Sequence, residues 1–425
     1  MGAEIISKDG DKLTIQVSIS LNGSMLEGED HIQDVLNEAG AIATEELLEK
    51  FDTDGSPIIF GSVKYTARSK DAKTYQTPYG EVVKERYVYQ TSKGGKIFCP
   101  LENDARIIGT STPRFAKIVS SKYARMGSSE LIKDLSENHN RKVVRSFVKS
   151  VSDMVGAVAL AKEESWTYSM PEIDKLIKTV TVGLDGTSLR MDDGHYRQAM
   201  VGTIGLYDKK GERQHTLYIG ASPEYGKENF LNRLANEVEH VKTIYSGAEY
   251  MGLADGARDN WSFLEKHTKH QLIDFYHAAG YVSDAADTKY SKKSEQREKH
   301  VWLDDTFHKL KNSMGCASRL LSTFSKWQST ESDKDGNIGN AVTYFTNNKK
   351  RMKYYKYVNM NMPIGSGVTE AACKVIIKER LCKSGMRWKE EGAARVISLR
   401  CLTYSDTRWE QFWNKINQYG YRLAA

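Results

Sequence analysis

The stretch 178-KTVTVGLD-185 decides how the middle of the chain folds. Val180, Val182 and Leu184 recur at every second position, the period of a strand that turns alternate side chains to a core, and Asp185 follows with Gly186 behind it. Residues 196–206 and 213–219 read as two more strands, separated by the turn Asp208-Lys209-Lys210-Gly211. Three strands joined this way predict an antiparallel meander. A helix over 227–242 comes next, with Phe230, Leu231, Leu234, Val238 and Val241 on its apolar stripe. A fourth strand over 250–254 ends on Asp255, a helix covers 260–267, and a fifth strand over 271–275 ends at Tyr276-His277.

The order β-β-β-α-β-α-β is the core order of an RNase H-like α/β fold, a mixed five-stranded sheet flanked by helices, with its last helix still to come. Residues 278–360 are polar, charged and helical, with Trp302, Phe307, Leu310, Met314, Leu320, Leu321, Phe324 and Trp327 as the expected inner face. They read as an all-α insertion that postpones the last helix to 363-PIGSGVTEAACKVIIKERLCKSGMRW-388. There a loop at Gly365, Ser366 and Gly367 opens onto a helix with Glu370 near its start. On a 3.6-residue period Lys374 and Lys378 share the face of Glu370, while Arg380, Lys383, Arg387 and Lys389 extend the positive charge.

In this fold Asp185 and Asp255 stand at the carboxyl ends of neighbouring parallel strands, where an α/β sheet opens toward ligands, and the late helix brings Glu370 over them. Three converging carboxylates do not all stay ionised in one pocket without a cation. Oxygen donors of this kind select Mg2+ or Mn2+, and two such ions activate an attacking oxygen and steady a leaving one at a phosphodiester. Other acids have plainer readings: Asp192-Asp193-Gly194 as a hairpin turn, and Asp259 as the cap of the helix that starts at Asn260. Asp274 and His277, three residues apart beside the expected site, either support it by hydrogen bonding or are structural. No G-x-S-x-G elbow and no GxxxxGK[ST] loop is present, which leaves serine hydrolysis and P-loop nucleotide binding without a motif.

The remaining chain supplies surfaces. Residues 1–110 read as an accessory α+β region, with a strand over 12–19, a helix over 30–50 and a β-rich segment over 64–105 turning at Thr77-Pro78-Tyr79-Gly80 and Gly94-Gly95. That segment is either a packing module or a DNA-facing ribbon. Residues 111–160 read as three helical pieces broken at 126–128 and 138–140, Asn140 capping the third, with Arg141, Lys142, Arg145 and Lys149 exposed along it. A basic third piece is how a helix-turn-helix presents its recognition helix, and a plain bundle is the other reading. In the closing segment, 401–425, Trp409, Phe412, Trp413 and Ile416 fall at helical spacing as core or dimer contacts rather than base-stacking platforms. The catalytic domain is expected over 176–277 and 361–400.

With 61 Lys and Arg against 55 Asp and Glu, the net charge of +6 over 425 residues is mild, so the placement of cations carries more weight than their number. Five scattered cysteines, none in a CxxC pair, indicate neither a disulfide framework nor a zinc site and fit a reducing compartment. No apolar run approaches a membrane span or signal peptide, so the expectation is a soluble, cytoplasmic protein.

Taken together, VGLDGTSL around Asp185, LADGARDNW around Asp255, DFYHAAGYV from Asp274, and the 363–388 segment around Glu370 resemble bacterial insertion-sequence transposases of the ISKra type. These are related to the Mutator-like transposases with an Asp-Asp-Glu site. TPYGEVVKERYVYQ and GGKIFCPLENDARI carry the resemblance into the N-terminal region. It implies a DNA transposase that binds the terminal inverted repeats of its element and target DNA, associates with the nucleoid, and acts as a dimer or higher oligomer. It also implies Asp185, Asp255 and Glu370 as catalytic ligands of two Mg2+ or Mn2+ ions, with Asp274 and His277 accompanying them. DNA contacts are expected from Arg141, Lys142, Arg145, Lys149, Lys374, Lys378, Arg380, Lys383 and Arg387. A repair or junction nuclease on the same fold, or a DNA-binding regulator without catalysis, are the alternatives.

Overall fold

The computed structural model describes residues 2–256, 258–405 and 407–421, without the side chains of Arg258 and Asp259. The expected cap at Asp259 and the last four residues of the closing segment therefore lie outside the described residues. The chain divides into two compact units, Met1–Ser169 with Ala394–Ala425, and Met170–Ala393. The division falls inside the expected 361–400 piece.

The first unit opens with a hairpin, β1 (Ala3–Asp9) and β2 (Lys12–Val17). Of β1 only Ala3 is buried, so this strand carries no hydrophobic alternation for a sequence reading to find. The helix α1 (Met25–Glu49) starts at a capping box between Ser24 and Glu27, five residues ahead of the expected start. An antiparallel sheet follows, built in chain order from β3 (Ile58–Phe60), β4 (Val63–Gln76), β5 (Glu81–Thr91) and β6 (Gly94–Phe98). A short α2 (Pro100–Asp104) leads to the three helical pieces α3 (Pro113–Arg125), α4 (Ser128–His139) and α5 (Arg145–Lys162).

The expected role of Asn140 is corrected. At φ 50° it is left-handed and ends α4 rather than starting α5, which begins behind Val144 without a side-chain cap. Asparagine tolerates that conformation better than most residues, which suits it to a C-terminal cap as well as to an N-terminal one. Arg141 and Lys142 consequently lie in the connection. Arg141 is buried, its Nε 3.0 Å from the Thr77 carbonyl and its Nη2 2.8 Å from Gln76 Oε1, with its guanidinium over the Phe115 ring. Lys142, Arg145 and Lys149 are exposed as expected.

In the second unit β7 (Ile177–Arg190), β8 (Tyr196–Asp208) and β9 (Arg213–Ala221) form the expected antiparallel meander. The helix α6 (Lys227–Ile244) precedes β10 (Glu249–Ala254), which runs parallel to β7. Then α7 (Arg258–His267) precedes β11 (His270–Ile273), parallel to β10. The sheet order is β11-β10-β7-β8-β9, mixed and five-stranded. The central strand is buried on both faces: Val180, Val182 and Leu184 on one, Thr179 and Thr181 on the other. Phe230, Leu234, Val238 and Val241 of α6 are fully buried in the core on the valine side.

The intervening segment is helical throughout: α8 (Phe275–Lys289), α9 (Gln296–Asn312), α10 (Cys316–Thr330), α11 (Asn337–Asn348) and α12 (Tyr354–Asn359). Leu310, Leu320, Phe324 and Trp327 are buried there and Trp302, Phe307 and Leu321 pack against them, whereas Met314 is exposed. Then α13 (Gly367–Ala372) runs through a π-helical turn, Cys373–Lys378, into α14 (Glu379–Leu381). The chain closes with α15 (Glu390–Tyr404) and α16 (Thr407–Tyr419), on which Trp409, Phe412, Trp413 and Ile416 are buried, the core reading of those aromatics. All five cysteines are free thiols, and among the described residues no helix is long and apolar enough to cross a membrane.

Candidate functional site

Side chains on a strand alternate, so Thr179, Thr181, Gly183 and Asp185 share one face of β7. That face is made of small residues up to Asp185, and α13 lies close against it. A Cβ added at Gly183 would come within 2.1 Å of Thr369 Oγ1, and Thr369 Oγ1 is itself 2.8 Å from Thr203 Oγ1 on β8. The glycine therefore sets how near the helix approaches, and Glu370, next along it, is carried toward Asp185.

Asp185 is not at a strand end, as the alternation alone predicts. β7 runs on to Arg190 because its pairing with β8 continues to Arg190↔Tyr196, while its pairing with β10 stops at Gly183↔Leu253. The acid becomes accessible where its parallel neighbour ends. Asp255 follows directly on β10, as expected. Its main-chain oxygen accepts from Tyr344 Oη at 3.0 Å, and Asn260 Nδ2 reaches the Leu184 carbonyl at 3.3 Å, which ties α7 to β7 just before Asp185.

Asp185, Asp255 and Glu370 line a single cleft of about 260 Å³, together with His277, Ser366, Thr369, Cys373 and Lys378. The Gly186 amide donates to Asp185 Oδ1 at 2.7 Å and the Cys373 thiol to Oδ2 at 3.6 Å. Burial raises the Asp185 pKa above the ordinary aspartate value, and the nearby charges of Asp255 and Glu370 raise it further, against the Gly186 and Cys373 hydrogen bonds. Burial, followed by the Asp185 charge, pushes the Cys373 thiol up to about 12, so it stays protonated at neutral pH and remains a donor. Glu370 is half-exposed, with Ser366 Oγ donating to its Oε1 at 2.9 Å and His277 Nε2 3.3 Å from the same oxygen.

The supporting pair separates into two roles. The fifth strand stops at Ile273, earlier than expected, and Asp274 is the N-cap of α8 rather than a strand residue. Asp274 is fully buried; its Oδ1 accepts from the His277 amide at 2.7 Å and its Oδ2 from the Ser366 amide. It thus anchors both the start of α8 and the loop that presents Glu370. Ligand atoms of Asp274, His277 and Glu370 lie within 4.8 Å of one another, yet both Asp274 oxygens are already engaged by backbone donors. His277, on the first turn of α8, faces the cleft.

The cations also divide. Lys378 lines the cleft; Lys374, Lys383 and Arg387 are exposed. The π turn at Cys373–Lys378 widens the helix, so the 3.6-residue spacing that places Lys374 and Lys378 together with Glu370 does not hold through it. Arg380 is a correction: it is buried, with its guanidinium 5.2 Å from the Trp388 ring centre.

The donor set fits hard divalent cations. Three carboxylates share one small cleft, and burial first, then the charges of Asp255 and Glu370, raise the Asp185 pKa, so a cation there would offset the cost of its ionised form. Ser366 and Cys373 escape a reading based on acids, although both sit inside the 363–388 segment, and Cys373 is three residues after Glu370, on the same side of a helix. No model of a known protein family matches the chain, and no curated protein matches it.

Proposed function

We propose that the chain is a DNA transposase built on an RNase H-like core, with Asp185, Asp255 and Glu370 as its catalytic carboxylates. The observation that carries this reading is their convergence on one cleft from β7, from the end of β10 and from α13. The sheet order, with β10 parallel to the first strand of a meander and a helical insertion ahead of Glu370, supports the RNase H-like assignment.

Asp185, Asp255 and Glu370 would hold two divalent ions, Mg2+ or Mn2+, which supply charge neutralisation and an activated oxygen nucleophile at a phosphodiester. Around them the chain's own groups have assigned tasks. The Gly186 amide and Cys373 thiol orient Asp185; Ser366 and His277 orient Glu370; Lys378 offers a cation to a phosphate entering the cleft. Hydrolysis at a transposon end and attack of the freed 3′-hydroxyl on target DNA are both in-line displacements at phosphorus, so one site serves both. Lys142, Arg145 and Lys149 on one surface and Lys374, Lys383 and Arg387 on another are exposed cations suited to double-stranded DNA. Joining two ends calls for two such sites, hence a dimer or higher oligomer on DNA.

The test is DNA cleavage and strand transfer with Mg2+, using a fragment that carries the element's terminal repeats. Asp185→Asn is expected to abolish both reactions while end binding persists; undiminished cleavage by that variant would sink the assignment. Cleavage without transfer of a pre-cut end would move the reading to a nuclease, and end binding without any cleavage to a regulator.

A further inference from the structure

A second cavity, about 640 Å³, opens beside Gly256, the residue after Asp255, within the roughly 300–1,000 Å³ of small-ligand sites. Gly256 lines it, and so does Tyr344, whose hydroxyl donates to the Asp255 carbonyl, so the cavity shares a wall with the candidate active site. Its main wall is one face of α11, where Asn340, Thr343, Tyr344, Asn347 and Asn348 recur at i, i+3, i+4, i+7 and i+8. That spacing ordinarily marks an apolar face turned to a core. On α11 the core is met instead by Ile338, Ala341 and Phe345, and the polar stripe faces the cavity.

The lining has the chemistry of a nucleobase site. Tyr281 and Tyr344 stack with ring centres 4.0 Å apart and planes 19° apart, a flat platform. Trp261, 4% exposed, also lines the cavity, and its buried indole N–H has no acceptor among the described residues. The Arg351 guanidinium lies 4.5 Å from the Trp261 ring centre and pairs with Glu265, placing a cation at the rim. Aromatic faces that take a base by stacking, side-chain amides that read its edge, and a cation for its phosphate are the elements of single-stranded nucleotide recognition.

We propose that this cavity holds one unpaired nucleotide of the DNA strand that enters the active site, keeping the adjoining phosphate against Asp255. The proposal rests on the DNA reading above. It calls for a strand locally out of its duplex, since stacking on a tyrosine ring needs a base face that neighbouring bases cover in a duplex.

The experiment compares two labelled duplexes, fully paired and with one unpaired 2-aminopurine, binding the full chain in EDTA, where no cleavage intervenes. The unpaired base is expected to improve affinity by at least about fivefold, the lower range of base stacking on aromatics, and to lose fluorescence on binding. Asn340→Ala with Asn347→Ala changes two exposed positions of α11 and leaves the core untouched. In that variant the preference should fall because the base edge is no longer read, while affinity for the paired duplex is kept; Tyr281→Leu should lower both the preference and the quenching. Equal affinity of the unsubstituted protein for both duplexes, or a preference that both variants keep in full, overturns the nucleotide site alone. Binding to neither duplex overturns the DNA reading and the nucleotide site with it.

Discussion

Gly183 and Thr369 meet where a side chain would not fit: a Cβ on Gly183 would lie 2.1 Å from Thr369 Oγ1 and 3.1 Å from Thr203 Oγ1. Both obstructing atoms belong to short β-branched side chains that hydrogen-bond each other in a buried setting, so neither can swing aside cheaply. Gly183→Ala is therefore expected to push α13, and Glu370 with it, away from Asp185. Overpacking of this kind costs on the order of 1–3 kcal/mol, and displacing one carboxylate should lower DNA cleavage far more than DNA binding. Urea unfolding and cleavage rates check it. Adding Thr369→Ala should recover part of the stability, and a Gly183→Ala protein as stable and active as the parent would show that the helix has room to spare.

The raised pKa of Asp185 makes a second prediction, with a definite sign. A folded-state pKa above the unfolded 3.8 means the native protein holds its proton more tightly, so stability contributed by Asp185 is greatest at low pH and declines as pH rises through the raised value. At neutral pH the ionised Asp185 is a cost. Asp185→Asn should then raise the melting temperature at pH 7 in EDTA, with the gain shrinking as pH falls toward 4. Divalent cation should act the other way: at 100 times its dissociation constant Mg2+ stabilises by about 2.7 kcal/mol, and the gain should shrink in the variant. A melting temperature that falls on Asp185→Asn at pH 7 would contradict the cost of burying the ionised carboxylate.

Asp185 and Asp255 are legible in the sequence because each breaks out of an apolar pattern beside a glycine, and Glu370 because it stands near the start of a helix behind the loop at Gly365, Ser366 and Gly367. What the pattern hides is set by partners distant in the chain. Asp185 reads as a strand end because the apolar alternation stops there, yet the strand continues, since β8 pairs with it for five more residues. Asp274 reads as a strand acid because the preceding residues are apolar, but two amide donors make it a cap. Arg141 and Arg380 read as surface cations by composition; carbonyl acceptors and aromatic rings from elsewhere in the chain bury them. The only sequence signal for the Cys373 thiol is its place three residues after Glu370, because its role depends on a carboxylate 188 positions away.

Asp274 and His277 should respond differently to removal. Asp274→Ala deletes a buried acceptor of two backbone amides, one of them a helix cap, and should cost about 1–3 kcal/mol of stability, with activity lost through the loosened loop. His277 is 44% exposed in its side chain and touches Glu370, so His277→Ala should leave the melting temperature within a degree or two while reducing cleavage. Parallel thermal melts and cleavage assays separate the two. Equal destabilisation by both substitutions would mean that His277 is structural as well.

The cations can be sorted by the salt dependence of DNA binding, because each lysine or arginine that neutralises a phosphate adds about 0.9 to the slope of log affinity against log salt. Lys142, Arg145, Lys149, Lys374, Lys383 and Arg387 are exposed, and alanine at any one that contacts DNA should flatten the slope by nearly that amount without changing stability. Lys378, in the cleft, should behave likewise and also slow cleavage. Arg141 and Arg380 are buried with their guanidiniums against Phe115 and Trp388, so alanine there removes packing and hydrogen bonds rather than a phosphate contact. The expected result for those two is a lower melting temperature with an unchanged slope among the molecules that remain folded. A slope that falls by nearly a unit on Arg380→Ala at full stability would return that residue to the DNA surface.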